Sequence, residues 1–186
     1  MVTRLLLAVL LVTGLAACAQ QAPPPAAPAP AARPAPSAPP GGFGATEQAF
    51  TQLEIATDDQ ALRMLGTGAR RASSARLRGY AAALAGARRA ELAELHGLLD
   101  AAGVRYQNLH AGHDMPGMPT NAELIGLDAA SDFDATLVDL VRAHLSESAT
   151  VARSAAREVA HPATRDLASR MASARAASLA ELGRLG

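Results

Sequence analysis

The chain has 186 residues, room for one ordinary domain with extensions. Its 17 basic residues, all arginine, balance 17 acidic ones, and zero net charge argues against the basic surface a nucleic-acid binder needs. With three Phe, two Tyr, no Trp and one Cys, base-stacking platforms, disulfide frameworks and multi-cysteine metal sites are excluded too.

In chain order, Met1–Arg4 gives a short positive start, followed by the apolar run Leu5–Val12. Eight apolar residues are too few to span a bilayer but suit the hydrophobic region of a signal peptide. Leu15-Ala16-Ala17-Cys18 then resembles the bacterial lipobox, in which the thiol is acylated and cleavage falls just before it. The expected organisation is a signal peptide over 1–17 and a lipidated Cys18 that anchors the protein to a membrane leaflet outside the cytoplasm. Ala19 is not the aspartate of an inner-membrane retention signal, which points to the outer membrane if the cell has two. An ordinary secretory signal with a chance cysteine is the alternative. The linker over 18–45 holds nine of the twelve prolines, a composition that favours extended polyproline over a packed core.

From Thr46 onward apolar residues recur at three- and four-residue spacing and no alternating strand pattern appears. This predicts an all-α domain over 46–186, with main helices near 46–70, 74–102, 131–160 and 162–183. Gly103 marks the end of the second, and Pro162 suits the first turn of the last. A repeat supports the reading: Ala69–Leu99 aligns with Ala156–Gly186 at a constant offset of 87 residues. Its identities include Arg78/Arg165, Arg88/Arg175, Leu92/Leu179 and Leu95/Leu182. Two repeated helical hairpins, neither able to bury its apolar stripe alone, are expected to pack into one four-helix bundle.

Between the hairpins, His110, His113, Asp114, Met115 and Met118 fall within nine residues of a Gly- and Pro-marked loop. Thioether sulfur suits Cu(I), and imidazole accepts copper, zinc or nickel, so these five are the candidate metal ligands. The bland alternative is a connecting loop whose methionines pack onto the open end of the domain.

Met115-Pro116-Gly117-Met118, Ala122-Glu123-Leu124 and Phe133-Asp134 together resemble the central signature of the domain-of-unknown-function-305 family. The resemblance extends through Ile55–Ala61 and the segments ending in Glu91-Leu92 and Ser178-Leu179. It implies a ferritin-like four-helix fold in an exported protein, copper binding or copper tolerance in some relatives, and no established enzymatic activity. The family pattern places an adjacent His-His pair in each half, where this chain has Thr57-Asp58 and His144-Leu145. A family glutamine falls on Arg88 and Arg175, and the following glutamate survives as Glu91 but not at Ser178. His144 lies on the seam Leu137–Val141–His144–Ser148–Val151 and is expected to face the interior, more as a hydrogen-bonded core residue than as a ligand, which leaves it the weaker metal candidate. Asp58 and Arg88, opposite charges at two altered positions, are the candidate structural ion pair.

Other residues carry less. His96 is explained by its place near a helix end. Glu158-x-x-His161 is a single copy of a spacing that di-iron bundles need twice, alongside two further glutamates. No nucleophile elbow, His-Glu-x-x-His or phosphate-cradling loop is present, so no enzyme is expected. The leading reading is a lipid-anchored extracytoplasmic helical protein that binds or buffers copper through its His/Met loop. The alternative is a metal-free interaction or scaffold lipoprotein that has lost the family's ligands, its protein partner unspecified.

Overall fold

The computed structural model describes residues 42–115 and 117–185. Residues 1–17, Cys18 and the linker as far as residue 41 lie outside the described residues. Those described form five helices and no strand: α1 (Ala45–Arg71), α2 (Ala75–Ala101), α3 (Asn121–Ala129), α4 (Phe133–Glu158) and α5 (Pro162–Leu182). The four long helices fall where apolar periodicity places them. The short α3 is an addition, and its signal is a cap rather than a stripe. Thr120 Oγ1 accepts the Glu123 N–H at 3.1 Å, while Glu123 Oε2 accepts the Thr120 N–H at 2.8 Å. That reciprocal box is legible as Thr-x-x-Glu, but nine residues are too few to display helical periodicity.

α1 pairs with α2 and α4 with α5, and the two hairpins meet through α1 against α4 and α2 against α5. The repeat is visible in how they lock. Asp134 takes the N–H groups of Ser73 and Ser74, at 2.8 and 3.0 Å, in the α1–α2 turn. Glu47, its equivalent in the first copy, takes those of Ala160 and His161, at 2.6 and 3.1 Å, in the α4–α5 turn. Each hairpin therefore begins with a carboxylate that satisfies the orphan donors of the other's turn. The paired arginines complete the arrangement on the acceptor side. Arg78 donates to the carbonyls of Ala72 and Ser73, and Arg165 donates to those of Val159 and Ala160.

The apolar interior falls into two clusters. One gathers Met64, Leu65, Leu77, Leu84, Leu127, Leu137 and Leu145, and the other Phe50, Ile55, Leu95, Leu99, Leu167 and Met171. Alanine and glycine let the helices approach closely: a Cβ on Gly68 would lie 2.7 Å from Leu137 Cδ2, so α1 and α4 touch there only because the side chain is absent. Both clusters are built from residue 43 onward, so the described residues carry a complete core.

Replacing Glu47 by Ala is expected to cost about 1–3 kcal/mol, because it strands backbone donors at a buried carboxylate. Asp134→Ala should cost less, since water reaches its exposed turn. Urea denaturation of the two variants measures the difference.

Candidate functional site

Between the two apolar clusters lies a layer of charge. Glu54 and Asp58 come from α1, Arg88 and Glu91 from α2, His144 and Ser148 from α4, and Arg175 from α5. Asp58, Arg88, His144 and Arg175 are completely buried. Arg175 is the hub: its Nη1 donates to Glu91 Oε2 at 2.9 Å, and its Nη2 donates to Glu54 Oε2 at 3.1 Å and to Asp58 Oδ1 at 3.3 Å. Its Nε donates to Ser148 Oγ. Burial disfavours the charge on Arg175, but the three carboxylates outweigh it and raise its pKa above the ordinary arginine value.

Asp58 and Arg88 do face each other in this layer, but at 3.8 Å, outside hydrogen-bonding distance, and Arg175 is the nearer partner of Asp58. Arg88 also sits 3.2 Å from Glu91, yet none of its three guanidinium nitrogens has a hydrogen-bond partner among the described residues. The repeat explains the inequality. The acceptors of Arg175 are Glu54, Asp58 and Glu91, and at the offset of 87 the corresponding residues for Arg88 are Val141, Leu145 and Ser178. One half of the layer supplies carboxylate acceptors and the other does not. Burial lowers the pKa of Arg88, and the nearby Arg175 charge lowers it further. Burial likewise raises the carboxyl of Glu54, to about 7 despite Arg175, and pushes that of Asp58 well above its ordinary range.

The histidine-based metal position that the resemblance implies does not fit this interior. Three of its four histidine positions hold Thr57, Asp58 and Leu145, and two guanidinium groups already supply the positive charge among the carboxylates. A further cation would have to compete with these guanidinium groups for the same carboxylates.

The loop donors divide between two places. Met118 is buried, Met115 is half-buried, and both line a cavity of about 150 Å³ with Asp114, Glu123 and His144. His110 instead lines a groove elsewhere beside Leu109, and His113 is exposed. Gly117 pins the first arrangement. Its φ of +74° favours glycine, and a Cβ would collide with the Glu147 side chain, so the loop lies directly against α4. In that position the Gly117 carbonyl accepts a hydrogen bond from His144 Nδ1 at 3.2 Å. His144 Nε2, fully buried, has no partner among the described residues. Burial, reinforced by the charges of Arg88 and Arg175, lowers its pKa to about 3 and keeps the imidazole neutral. Among the described residues, no three His, Cys, Asp or Glu side chains are grouped to hold a metal, so any site here depends on the thioethers.

The weaker histidines have local partners. His96 lies edge-on to Tyr106, with ring centroids 5.6 Å apart, and His161 caps α5, its Nδ1 2.9 Å from Thr164 Oγ1. Sequence reasoning missed Glu54 and the central place of Arg175. Glu54 reads as one polar residue of an amphipathic helix, and nothing in its own segment announces a partner 121 residues away.

A family model described as Domain of unknown function (DUF305) matches residues 47–185. The chain belongs to the DUF305 family. Its fold is similar to the crystal structure of a DUF305 fragment from Deinococcus radiodurans, with a TM-score of 0.69 and 17% identity, covering 79% of this chain and 97% of that one. It is also similar to a DUF305 protein from Streptomyces coelicolor named as secreted, with a TM-score of 0.68 and 18% identity, covering 75% of this chain and 91% of that one. No curated protein matches. The most specific DUF305-like residues take structural parts here: Gly117 seats the loop and Asp134 closes the α1–α2 turn. No described helix is long and apolar enough to cross a membrane.

Arg175→Met is expected to destabilise the domain by about 3–5 kcal/mol, because it leaves the buried Glu54 and Asp58 and the partly buried Glu91 without their shared cation. Arg88→Met should be close to neutral, since that guanidinium makes no hydrogen bond. Chemical denaturation at pH 8 separates the two.

Protonation of Glu54 and His144 affects stability in opposite directions. The folded-state pKa of Glu54 is raised, so its contribution is full below 4.5 and is lost as pH rises to about 7. That of His144 is lowered, so its contribution is present above 6.5 and is lost as pH falls toward about 3. A Glu54→Gln variant should therefore gain stability relative to the parent as pH rises from 4.5 to 7, and hold that gain above. Melting temperatures of the pair across this range check the sign.

Proposed function

We propose that this DUF305 protein is an exported, non-enzymatic module, held to the membrane by lipid on Cys18, that binds Cu(I) where its Met-Pro-Gly-Met loop meets α4. The four long helices are read as a ferritin-like four-helix bundle that serves as the platform. The supporting observation is the cavity of about 150 Å³ lined by Met115, Met118, Asp114 and His144. Two thioethers and a neutral imidazole form a soft donor set suited to a monovalent copper ion. His144 stays unprotonated at physiological pH and is available as a donor, with Nε2 free of protein partners among the described residues. The ligand set thus moves from His110 and His113 toward the methionines and His144. Extracytoplasmic placement is supported by the signal-like N-terminus and by the Streptomyces coelicolor neighbour named as secreted.

A second reading, a metal-free scaffold, is favoured by a different observation: Arg175 and Arg88 already serve as cations in the interior layer. Titrating residues 36–186 with Cu(I) against a competing chelator decides between the two. One copper per chain, lost on Met115→Ala with Met118→Ala and retained on His113→Ala, is the expected result. Failure to compete, or full binding by the double variant, rejects the copper reading in favour of the scaffold.

A further inference from the structure

The internal repeat relates two surface grooves, only one of which is covered by a helix among the described residues. The first lies between the start of α4 and the end of α1, and α3 covers it. Leu127 of α3 is buried in the cluster that contains Leu137 and Met64, Leu124 packs beside it, and Phe133 and Leu140 border the same cluster. At its rim Arg71 pairs with Asp128 of α3, and Arg63 donates to Asn121 Oδ1 at 2.7 Å.

Shifting this groove's residues by the offset of 87 lands on the second. Phe133, Leu137 and Leu140 become Thr46, Phe50 and Leu53, while Met64, Gly68 and Arg71 become Val151, Ala155 and Glu158. These six residues line an open groove of about 680 Å³ between the start of α1 and the end of α4. Phe50 forms part of its apolar surface, Gln52 lines it while nearly fully buried, and Leu109, at the edge, is 62% exposed. Nothing among the described residues covers it as α3 covers its counterpart.

We propose that this groove docks a short amphipathic helix from a partner protein, seated as α3 is seated in the equivalent groove. The fit defines the partner's chemistry. The groove runs along Ala45–Leu53, nine residues of α1, and α3 is itself nine residues long, so each spans about 13 Å. Apolar anchors three residues apart, like Leu124 and Leu127, suit an apolar groove of this length. The rim charge is reversed: Arg71, which holds Asp128 of α3, corresponds to Glu158, the sole Asp, Glu or Arg lining the open groove. A partner helix therefore carries Leu-x-x-Leu followed directly by arginine or lysine. One carboxylate oxygen of Glu158 accepts from Ser154, which holds the group at the rim. The contact is small and suits a weak, transient complex. This site is separate from the cavity beneath the Met-Pro-Gly-Met loop and does not depend on copper.

The probe is a capped synthetic peptide of residues 119–131 carrying Asp128→Arg, titrated into labelled residues 36–186 and followed by amide chemical shifts. Saturable shifts confined to Ala49, Phe50, Val151, Ala155 and their neighbours are expected. The parent peptide with Asp128 should bind more weakly. Glu158→Gln should weaken the Arg peptide by about two- to fivefold, and Glu158→Arg should reverse the preference between the peptides. Ala49→Trp, on an exposed position of the groove, should block both while leaving the melting temperature unchanged. Absence of saturable shifts, binding indifferent to Ala49→Trp, or equal binding of the two peptides would overturn the assignment.

Discussion

The structure depends on one guanidinium. Arg175 reaches from α5 into the centre of the domain and is shared by Glu54, Asp58 and Glu91 from α1 and α2, with Ser148 of α4 as a fourth acceptor. Every long helix has a group at this hub. Its role is specificity more than net stability, because desolvating five charged groups consumes much of what their attraction returns. A slip of one helix by a turn would separate a buried charge from its partner, so the layer holds the register that alanine-rich interfaces leave loose.

Duplication explains both the order and the imbalance. Glu47 and Asp134 serve opposite turns, and Arg78 and Arg165 serve the carbonyls of their own, so the ends of the domain remain symmetric. The middle does not. All three carboxylates that hold Arg175 belong to the first copy, and the second copy offers Val141, Leu145 and Ser178 at the matching places. The surface follows the same division, because the long connection between hairpins lays α3 over one groove, and no described helix covers its counterpart. Chemistry in this domain is found where symmetry is broken: the charged layer, the docked loop and the uncovered groove.

The metal question turns on the same asymmetry. The interior layer holds carboxylates that already face two guanidinium groups, so the centre offers no vacant cation position. What remains for a soft metal is the margin, where Gly117 presses the loop onto α4 and brings Met118 beside His144. The two histidines of the loop itself do not join them: His110 turns toward the apolar groove and His113 toward solvent.

The sequence by itself determined the helical class, the limits of the four long helices, the repeat and family membership, because periodicity, caps and motif spacing are local or nearly local properties. The short α3 is not read from the sequence, because periodicity passes over it and only the Thr120–Glu123 cap marks its start. The burial of His144 followed from its seam, and opposite charges at Asp58 and Arg88 pointed to a charged interior. Only the tertiary structure decided that Arg175 rather than Arg88 holds Asp58, that Glu54 joins them, and that the loop's methionines line one cavity with His144 while its histidines do not. Those outcomes rest on distances between helices remote in sequence, set by how closely alanine and glycine faces approach. Pairing inside a low-dielectric core is decided by differences of a fraction of an ångström to about an ångström, which spacing along one chain does not encode.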